Sequence, residues 1–140
     1  MRQKQRARLF LLLAMICFLM GIMGCKEKDA EGVKLRDLEF TVQGEDVIPK
    51  QLLDIVEGKK KEPFKLTYSD RENLYICIGY GEQNVAGYSI VVNDLYLTEN
   101  AIYVSTELLG PKEGKAAAQI KSYPYIVIKT EYLDKNVIFK

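Results

Sequence analysis

The chain has 140 residues, with 20 lysines and arginines against 19 aspartates and glutamates, and it contains no histidine and no tryptophan. This near balance of charge gives no reason to expect nucleic-acid binding. The lack of histidine excludes Ser-His-Asp and Cys-His catalytic arrangements and the common zinc sites. We therefore predict a non-enzymatic protein that needs no cofactor and holds no metal ion.

The first 25 residues have the pattern of an export signal. Four basic residues come first, an unbroken run of apolar residues and one glycine covers residues 9–23, and charged residues begin at Lys26. A basic head, a short apolar core and a small residue before the cut are typical of secretory signals. The ending Ile-Met-Gly-Cys resembles a bacterial lipobox, which implies cleavage after Gly24 and acylation of Cys25.

This pattern divides the chain into three predicted parts. Residues 1–24 are the signal peptide, residues 25–34 the lipidated N-terminus with a polar tether, and residues 35–140 a single globular domain. A retained membrane helix is the alternative, although a spanning helix needs about 20 apolar residues and this run has 15. Both interpretations predict an extracytoplasmic protein at the cell membrane, and the lipoprotein interpretation makes the acyl chains on Cys25 its membrane contact.

The part after the signal has 16 basic and 19 acidic residues, a net charge of −3. A first strand is predicted over residues 38–42. An amphipathic helix follows over about Pro49–Glu57, because Leu52, Ile55 and Val56 fall on one helical face. Gly58 is the expected end of that helix.

The rest of the chain is dominated by strand patterns, with alternating or continuous apolar residues. The predicted strands are residues 64–68, 74–80, 87–97, 101–109, 125–130 and 136–139. Residues 74–80 are apolar enough to be covered on both faces, Asn93-Asp94 marks a turn or bulge, and residues 110–118 are predicted to be a mobile loop. The predicted fold class is α+β, mainly β: one short N-terminal amphipathic helix followed by a mostly antiparallel six- to seven-stranded sheet or sandwich.

The stretch from Gly79 to Ile90 reads Gly-Tyr-Gly-Glu-Gln-Asn-Val-Ala-Gly-Tyr-Ser-Ile. A strand that ends in a Gly-Glu pair, followed by a Gly-Tyr-Ser turn into the next strand, resembles the signature of the PrcB C-terminal family. The chain has Asn-Val-Ala at residues 84–86, where that family tends to have Pro-Thr-Gly. Residues 122–129 and 137–139 also resemble the family's ending. The resemblance implies an accessory lipoprotein that accompanies and stabilises a surface protein such as a protease.

The predicted binding surface combines a loop with nearby aromatic residues. The loop residues are Gly81, Glu82, Gln83, Asn84, Gly87, Tyr88 and Ser89. The predicted interface aromatics are Tyr80, Tyr123 and Tyr125, because tyrosine is enriched at protein interfaces. The alternatives are a plain hairpin connection for the loop and packing against sheet faces for the tyrosines.

Other functions stay open on the sequence alone. The chain can be a structural cell-envelope lipoprotein without a dedicated partner, or a chagasin-like protease inhibitor, whose binding loop matches only at Gly87 and Tyr88. A hydrolase built on Ser122 and Lys121 is disfavoured, because neighbours on a strand point to opposite faces. Cys77 is predicted to be a buried core residue rather than a reactive thiol.

Overall fold

The computed structural model describes residues 31–112 and 119–140. The predicted signal peptide, its cleavage site at Gly24 and the lipidation site at Cys25 lie outside the described residues. The same holds for residues 113–118, most of the loop predicted to be mobile.

The described chain contains eight strands and one helix. In chain order these are β1 (Lys34–Asp37), β2 (Phe40–Val42), α1 (Lys50–Lys59), β3 (Pro63–Ser69), β4 (Asn73–Tyr80), β5 (Ser89–Thr98), β6 (Ala101–Leu109), β7 (Tyr125–Glu131) and β8 (Asn136–Phe139). They form two four-stranded sheets, ordered β1-β5-β6-β8 and β2-β7-β4-β3. Among the described strands, only β6 and β8 pair in parallel. The predicted mainly β class with mostly antiparallel strands is confirmed.

The two sheets pack face to face around an aliphatic core. Alternate residues of β4 to β7 point into it, since successive side chains of a strand face opposite sides. Its buried members are Leu38, Leu74, Ile76, Ile78, Leu95, Ile102, Val104, Ile126 and Ile128. Complete burial of one such isoleucine contributes roughly 1.5–3 kcal/mol, so this core is the main source of the domain's stability.

Helix α1 covers the outer face of the β2-β7-β4-β3 sheet. Leu52 and Val56, one helical turn apart, are fully buried against Tyr75, Cys77 and Val127. Strand β4 therefore has the core on one face and the helix on the other, which confirms the prediction that it is covered on both sides. The one helix within residues 31–112 and 119–140 is neither long enough nor apolar enough to cross a bilayer.

The helix differs from its prediction in two details. Ile55 is 42% exposed, so the buried face is narrower than the spacing indicated. Gly58 lies inside the helix rather than ending it. The helix continues because Lys60 keeps right-handed helical angles and its N–H donates to the Val56 carbonyl at 2.9 Å.

The eight strands of the structure exceed the predicted six or seven because the sequence pattern does not indicate β1. Its residues are Lys-Leu-Arg-Asp, all exposed at a sheet edge, where burial demands no apolar pattern. Lys34, the last residue of the predicted tether, already belongs to β1. Leu38, placed in the first strand by prediction, instead lies where the chain crosses between sheets, with its N–H bonded to the Leu95 carbonyl. The other predicted strands fall within two residues of their observed ends.

Cys77 is fully buried in β4, and desolvation raises the pKa of its thiol to about 12. We expect the folded chain to leave this thiol unlabelled by iodoacetamide at pH 8, whereas denaturant exposes it; Cys77→Ala provides the blank. Because the folded pKa exceeds the unfolded value, the free energy of unfolding should fall as pH rises from about 9 toward 12. Labelling of the native chain at the rate of a free thiol would contradict this burial.

Candidate partner-binding site

The loop of residues 81–88 joins β4 in one sheet to β5 in the other. It is therefore a crossover between the two layers of the sandwich, and the hairpin alternative is wrong. A connection of this kind lies at one end of the sandwich.

The start of the loop is fixed against the chain that leads into β3. Gly81 has φ +75°, and a Cβ added there would lie 2.9 Å from Pro63 Cδ and 3.0 Å from Pro63 N. The next residue, Glu82, donates its N–H to the Lys61 carbonyl at 3.1 Å. Glycine is needed at position 81 both for the backbone angle and for this close approach.

The middle of the loop is tied to the segment that precedes β7. Gln83 and Ser122 exchange two backbone hydrogen bonds of 2.8 and 3.0 Å. The Gln83 side-chain amide donates to the Tyr80 carbonyl at 3.2 Å, and the Ser122 hydroxyl donates to the Val85 carbonyl at 2.7 Å. Backbone and side chains together hold residues 83–85 in one place.

The Glu82 carboxylate links the loop to the segment before β7 through an ion pair and a hydrogen bond. Lys121 Nζ lies 2.6 Å from Glu82 Oε1, and the Tyr123 hydroxyl donates to Glu82 Oε2 at 3.1 Å. The hydrogen bond from Lys121, then that from Tyr123, lowers the pKa of the Glu82 carboxyl. The same contact raises the pKa of Lys121. We call Glu82, Gln83, Lys121, Ser122 and Tyr123 the loop brace.

The brace bears on the hydrolase alternative. Lys121 is protonated and paired with Glu82, while the Ser122 hydroxyl is engaged by a backbone carbonyl. A serine nucleophile needs a neighbouring base that can take its proton, and the geometry provides no such pairing between these two residues. Within the described ranges there is also no group of three or more acidic or cysteine side chains that could hold a metal ion.

The exposed residues of the loop are Glu82, Asn84 and Gly87, and they are followed by exposed Ser89, the first residue of β5. Gly87 has φ +96° and approaches Pro111, which lies just beyond β6. Tyr88 is half-buried with its ring next to Gly110. The predicted loop residues are therefore brought together, with a fixed base and an exposed tip.

The three predicted interface tyrosines do not form one cluster. Only Tyr123 bonds to the loop through its hydroxyl, at Glu82. The Tyr80 hydroxyl shares a 2.8 Å hydrogen bond with Thr106 in the opposite sheet. The Tyr125 hydroxyl donates to Glu45 at 2.8 Å, and burial followed by this bond raises the pKa of Tyr125.

Lys121 is the brace residue whose role was not predicted from the sequence. The sequence suggests Lys121 only as a catalytic partner of Ser122, whereas in the structure it is the counter-ion of Glu82, 39 positions away. The one hint was that both segments carry the family resemblance. Nothing local in either segment indicates the pairing.

Residues 74–131 match the model of the PrcB C-terminal family. These residues belong to the PrcB C-terminal family. The resemblance predicted from the stretch Gly79–Ile90 is thereby confirmed. No curated protein and no solved structure matches the chain.

The PrcB C-terminal match has a simple structural meaning. It covers β4, β5, β6 and β7, which are the two central strands of each sheet. It also includes residues 81–88 and the whole loop brace. The four edge strands and α1 lie outside the match.

Replacing Glu82 by glutamine should loosen the loop. The variant loses the charge that attracts Lys121, so the bonded amides of Gln83 and Ser122 should exchange faster in hydrogen–deuterium exchange. Because the folded pKa of Glu82 is lowered, its stabilisation is present above the ordinary value of 4.5 and is lost as pH falls through the folded pKa. Glu107→Gln, at an exposed position of β6, is the control; equal exchange in both variants would contradict the brace.

Proposed function

We propose that the chain is a membrane-anchored extracytoplasmic lipoprotein that acts without catalysis as a binding module for another surface protein, such as a protease. The observation that supports this most is the loop of residues 81–88, which is fixed at its base by the loop brace and exposed at its tip. This arrangement lies within the PrcB C-terminal match. Loops carried on a rigid scaffold are a common place for recognition.

The physical advantage of such a loop is a small entropic cost of binding. Ordering a mobile segment at an interface costs about 0.5–1.5 kcal/mol for each immobilised side chain. The brace already restrains Gln83 by two backbone bonds and Glu82 by two side-chain bonds. A partner that contacts Asn84 and its neighbours would therefore meet a preorganised surface.

The position of the loop within the domain also supports the proposal. Strand β5 begins next to the loop at Ser89 and ends at Thr98, which pairs with Lys34 at the start of β1. Ten residues in a strand span about 30 Å, so the loop and Glu31 lie at opposite ends of the domain. With Cys25 acylated, the six residues from there to Glu31 reach at most about 20 Å. Under the proposal the tether to the acyl anchor therefore leaves the domain at the end opposite the loop.

The test is capture of partners from native membranes by the tagged full-length chain after brief cross-linking. The test variant replaces residues 82–86 by a Gly-Ser sequence of equal length and keeps Gly81. The matched control changes Glu99 and Asn100, an exposed turn at the opposite end of β5. Circular dichroism checks that both variants are folded.

We expect the wild type and the turn variant to recover the same surface protein, and the loop variant to recover about tenfold less, as for loss of a few interface contacts. Identical recovery by all three chains would refute the role of the loop. A wild type that reproducibly captures nothing would favour the structural cell-envelope alternative.

A further inference from the structure

Strand β3 is the longest open edge in the described part of the molecule. It pairs with β4 over all seven of its residues without a register shift, and no described strand pairs with its other side. The remaining edge strands have only three or four residues. On the opposite side of the sandwich, β1 continues directly toward β2 and links the two sheets, whereas β3 and β8 are not hydrogen-bonded to each other.

The backbone of β3 offers hydrogen bonds to this open side. Tyr80 pairs with Pro63, yet its N–H donates to the Pro124 carbonyl, away from β3. The Pro63–Tyr80 pair is thus of the type without mutual hydrogen bonds. Pairs with and without mutual hydrogen bonds alternate along an antiparallel ladder. The pairs that Lys65 and Thr67 form with β4 therefore also lack mutual hydrogen bonds, and both residues direct their N–H and C=O groups outward.

A groove lies beside this edge, between the two sheets. Its volume is about 540 Å³, within the range of roughly 300–1,000 Å³ that is usual for binding pockets. Its walls include Pro63, Ile78, Tyr80 and Thr106. Lys65 also lines it, with its ammonium group 5.7 Å from the centroid of the Phe139 ring across the open side.

The charge around the edge is positive. Residues 59–65 contain four lysines and one glutamate. Lys60 is paired with Glu57 of α1, whereas Lys65 forms no ion pair with any described residue within 4 Å. A lysine on an edge strand opposes pairing with apolar strands and with further copies of the same edge. The same charge favours a strand that brings a carboxylate.

We infer that β3 is a docking edge for an extended acidic segment of a partner protein. The segment adds to the sheet as a further strand and bonds the outward groups of Lys65 and Thr67. One of its carboxylates lies next to Lys65, and an apolar side chain two positions away enters the groove. This inference rests on the proposed binding function and names a second contact surface, whose edge strand β3 lies outside the family match.

The test uses the purified full-length chain in detergent and a fluorescent peptide of about ten residues that repeats Val-Val-Glu-Glu, so that a valine lies two positions from each glutamate. A peptide that repeats Val-Val-Lys-Lys is the control probe. Thr67→Pro removes an outward N–H and is tolerated at an edge, whereas Thr67→Val keeps that N–H. Lys65→Glu reverses the charge without changing the backbone.

We expect anisotropy to show binding of the acidic peptide to the wild type and to Thr67→Val. Thr67→Pro should bind it at least about tenfold more weakly, because a hydrogen bond is lost and the proline ring obstructs the added strand. Lys65→Glu should prefer the lysine peptide.

Three outcomes would overturn the inference. They are equal affinity of Thr67→Pro and Thr67→Val, no saturable binding up to about 1 mM peptide, and a dimer in light scattering that Thr67→Pro abolishes. If the peptide does not bind but the loop variant still loses partner capture, the inference about β3 is refuted and the proposed function stands. If Thr67→Pro abolishes peptide binding but the loop replacement leaves partner capture unchanged, β3 is supported as a docking edge and the binding role of the loop is refuted.

Discussion

A Gly81→Ala variant is expected to lose about 2 kcal/mol of its free energy of unfolding. Gly81 has φ +75°, where a Cβ approaches its own carbonyl and costs roughly 1–2 kcal/mol. The added methyl would also lie 2.9 Å from Pro63 Cδ and 3.0 Å from its backbone nitrogen. Backbone atoms cannot rotate away as a flexible side chain can, so the start of β3 must shift.

Denaturant unfolding of the full-length chain measures this loss, and Gly58→Ala supplies the control. Gly58 lies inside α1, has no heavy atom within 4 Å of an added Cβ, and should gain up to about 1 kcal/mol because alanine favours the helix. The contrast separates the local constraint at Gly81 from the general effect of removing a glycine. An unchanged midpoint for Gly81→Ala would refute the constraint. Partner capture should also weaken, since the displaced loop no longer presents its tip in one position.

The central strands could be predicted because their burial leaves a pattern. Alternate residues of β6 face the other sheet, and Ile102 and Val104 among them are apolar and buried. β4 is almost entirely apolar from Leu74 onward because the core and α1 cover its two faces. β1 could not be found in this way. Its four residues are exposed at an edge, and the backbone hydrogen bonds that hold it to β5 leave no mark on residue type.

The loop could be located from sequence, but its surroundings could not. Its glycines and the family resemblance marked residues 81–88, yet the partner of Glu82 lies 39 positions away at Lys121. The tyrosine cluster failed for a geometric reason. Tyr125 stands opposite Gly79 in the ladder, so Tyr80, the next residue of β4, faces the other side of the sheet. Alternation within strands separated side chains that composition alone had grouped.

A Cys25→Ala variant is expected to lose its acyl chains completely. The lipobox-like sequence Ile-Met-Gly-Cys predicts that the wild-type chain begins at Cys25 and carries fatty acids there. Each buried methylene contributes about 0.8 kcal/mol, and stable attachment needs more than one chain. Without the thiol neither modification nor cleavage after Gly24 should occur. The mass of the N-terminal peptide from native membranes measures both.

Cys17→Ala is the matched control, because Cys17 lies inside the apolar run and is predicted to leave with the signal. It should show the wild-type acylated mass, whereas Cys25→Ala should show an unmodified N-terminus that retains residues 1–24. An unacylated wild-type chain, or wild type found in the cytosol, would refute the lipoprotein interpretation. An unprocessed wild type in the membrane would instead support the retained-helix alternative.

The same variant separates the anchor from the binding surface. Cys25 precedes the described domain, whose contacts begin with the ion pair between Glu31 and Lys140, so its replacement should leave the unfolding midpoint of the domain unchanged. Confinement near a membrane raises the effective concentration of a surface partner without adding a contact. Cys25→Ala chains that proteolysis has released from the membrane should therefore capture less of the partner. The loop variant, in contrast, should lose capture even while it is anchored. If both lost capture only in proportion to membrane release, the anchor alone would account for the association.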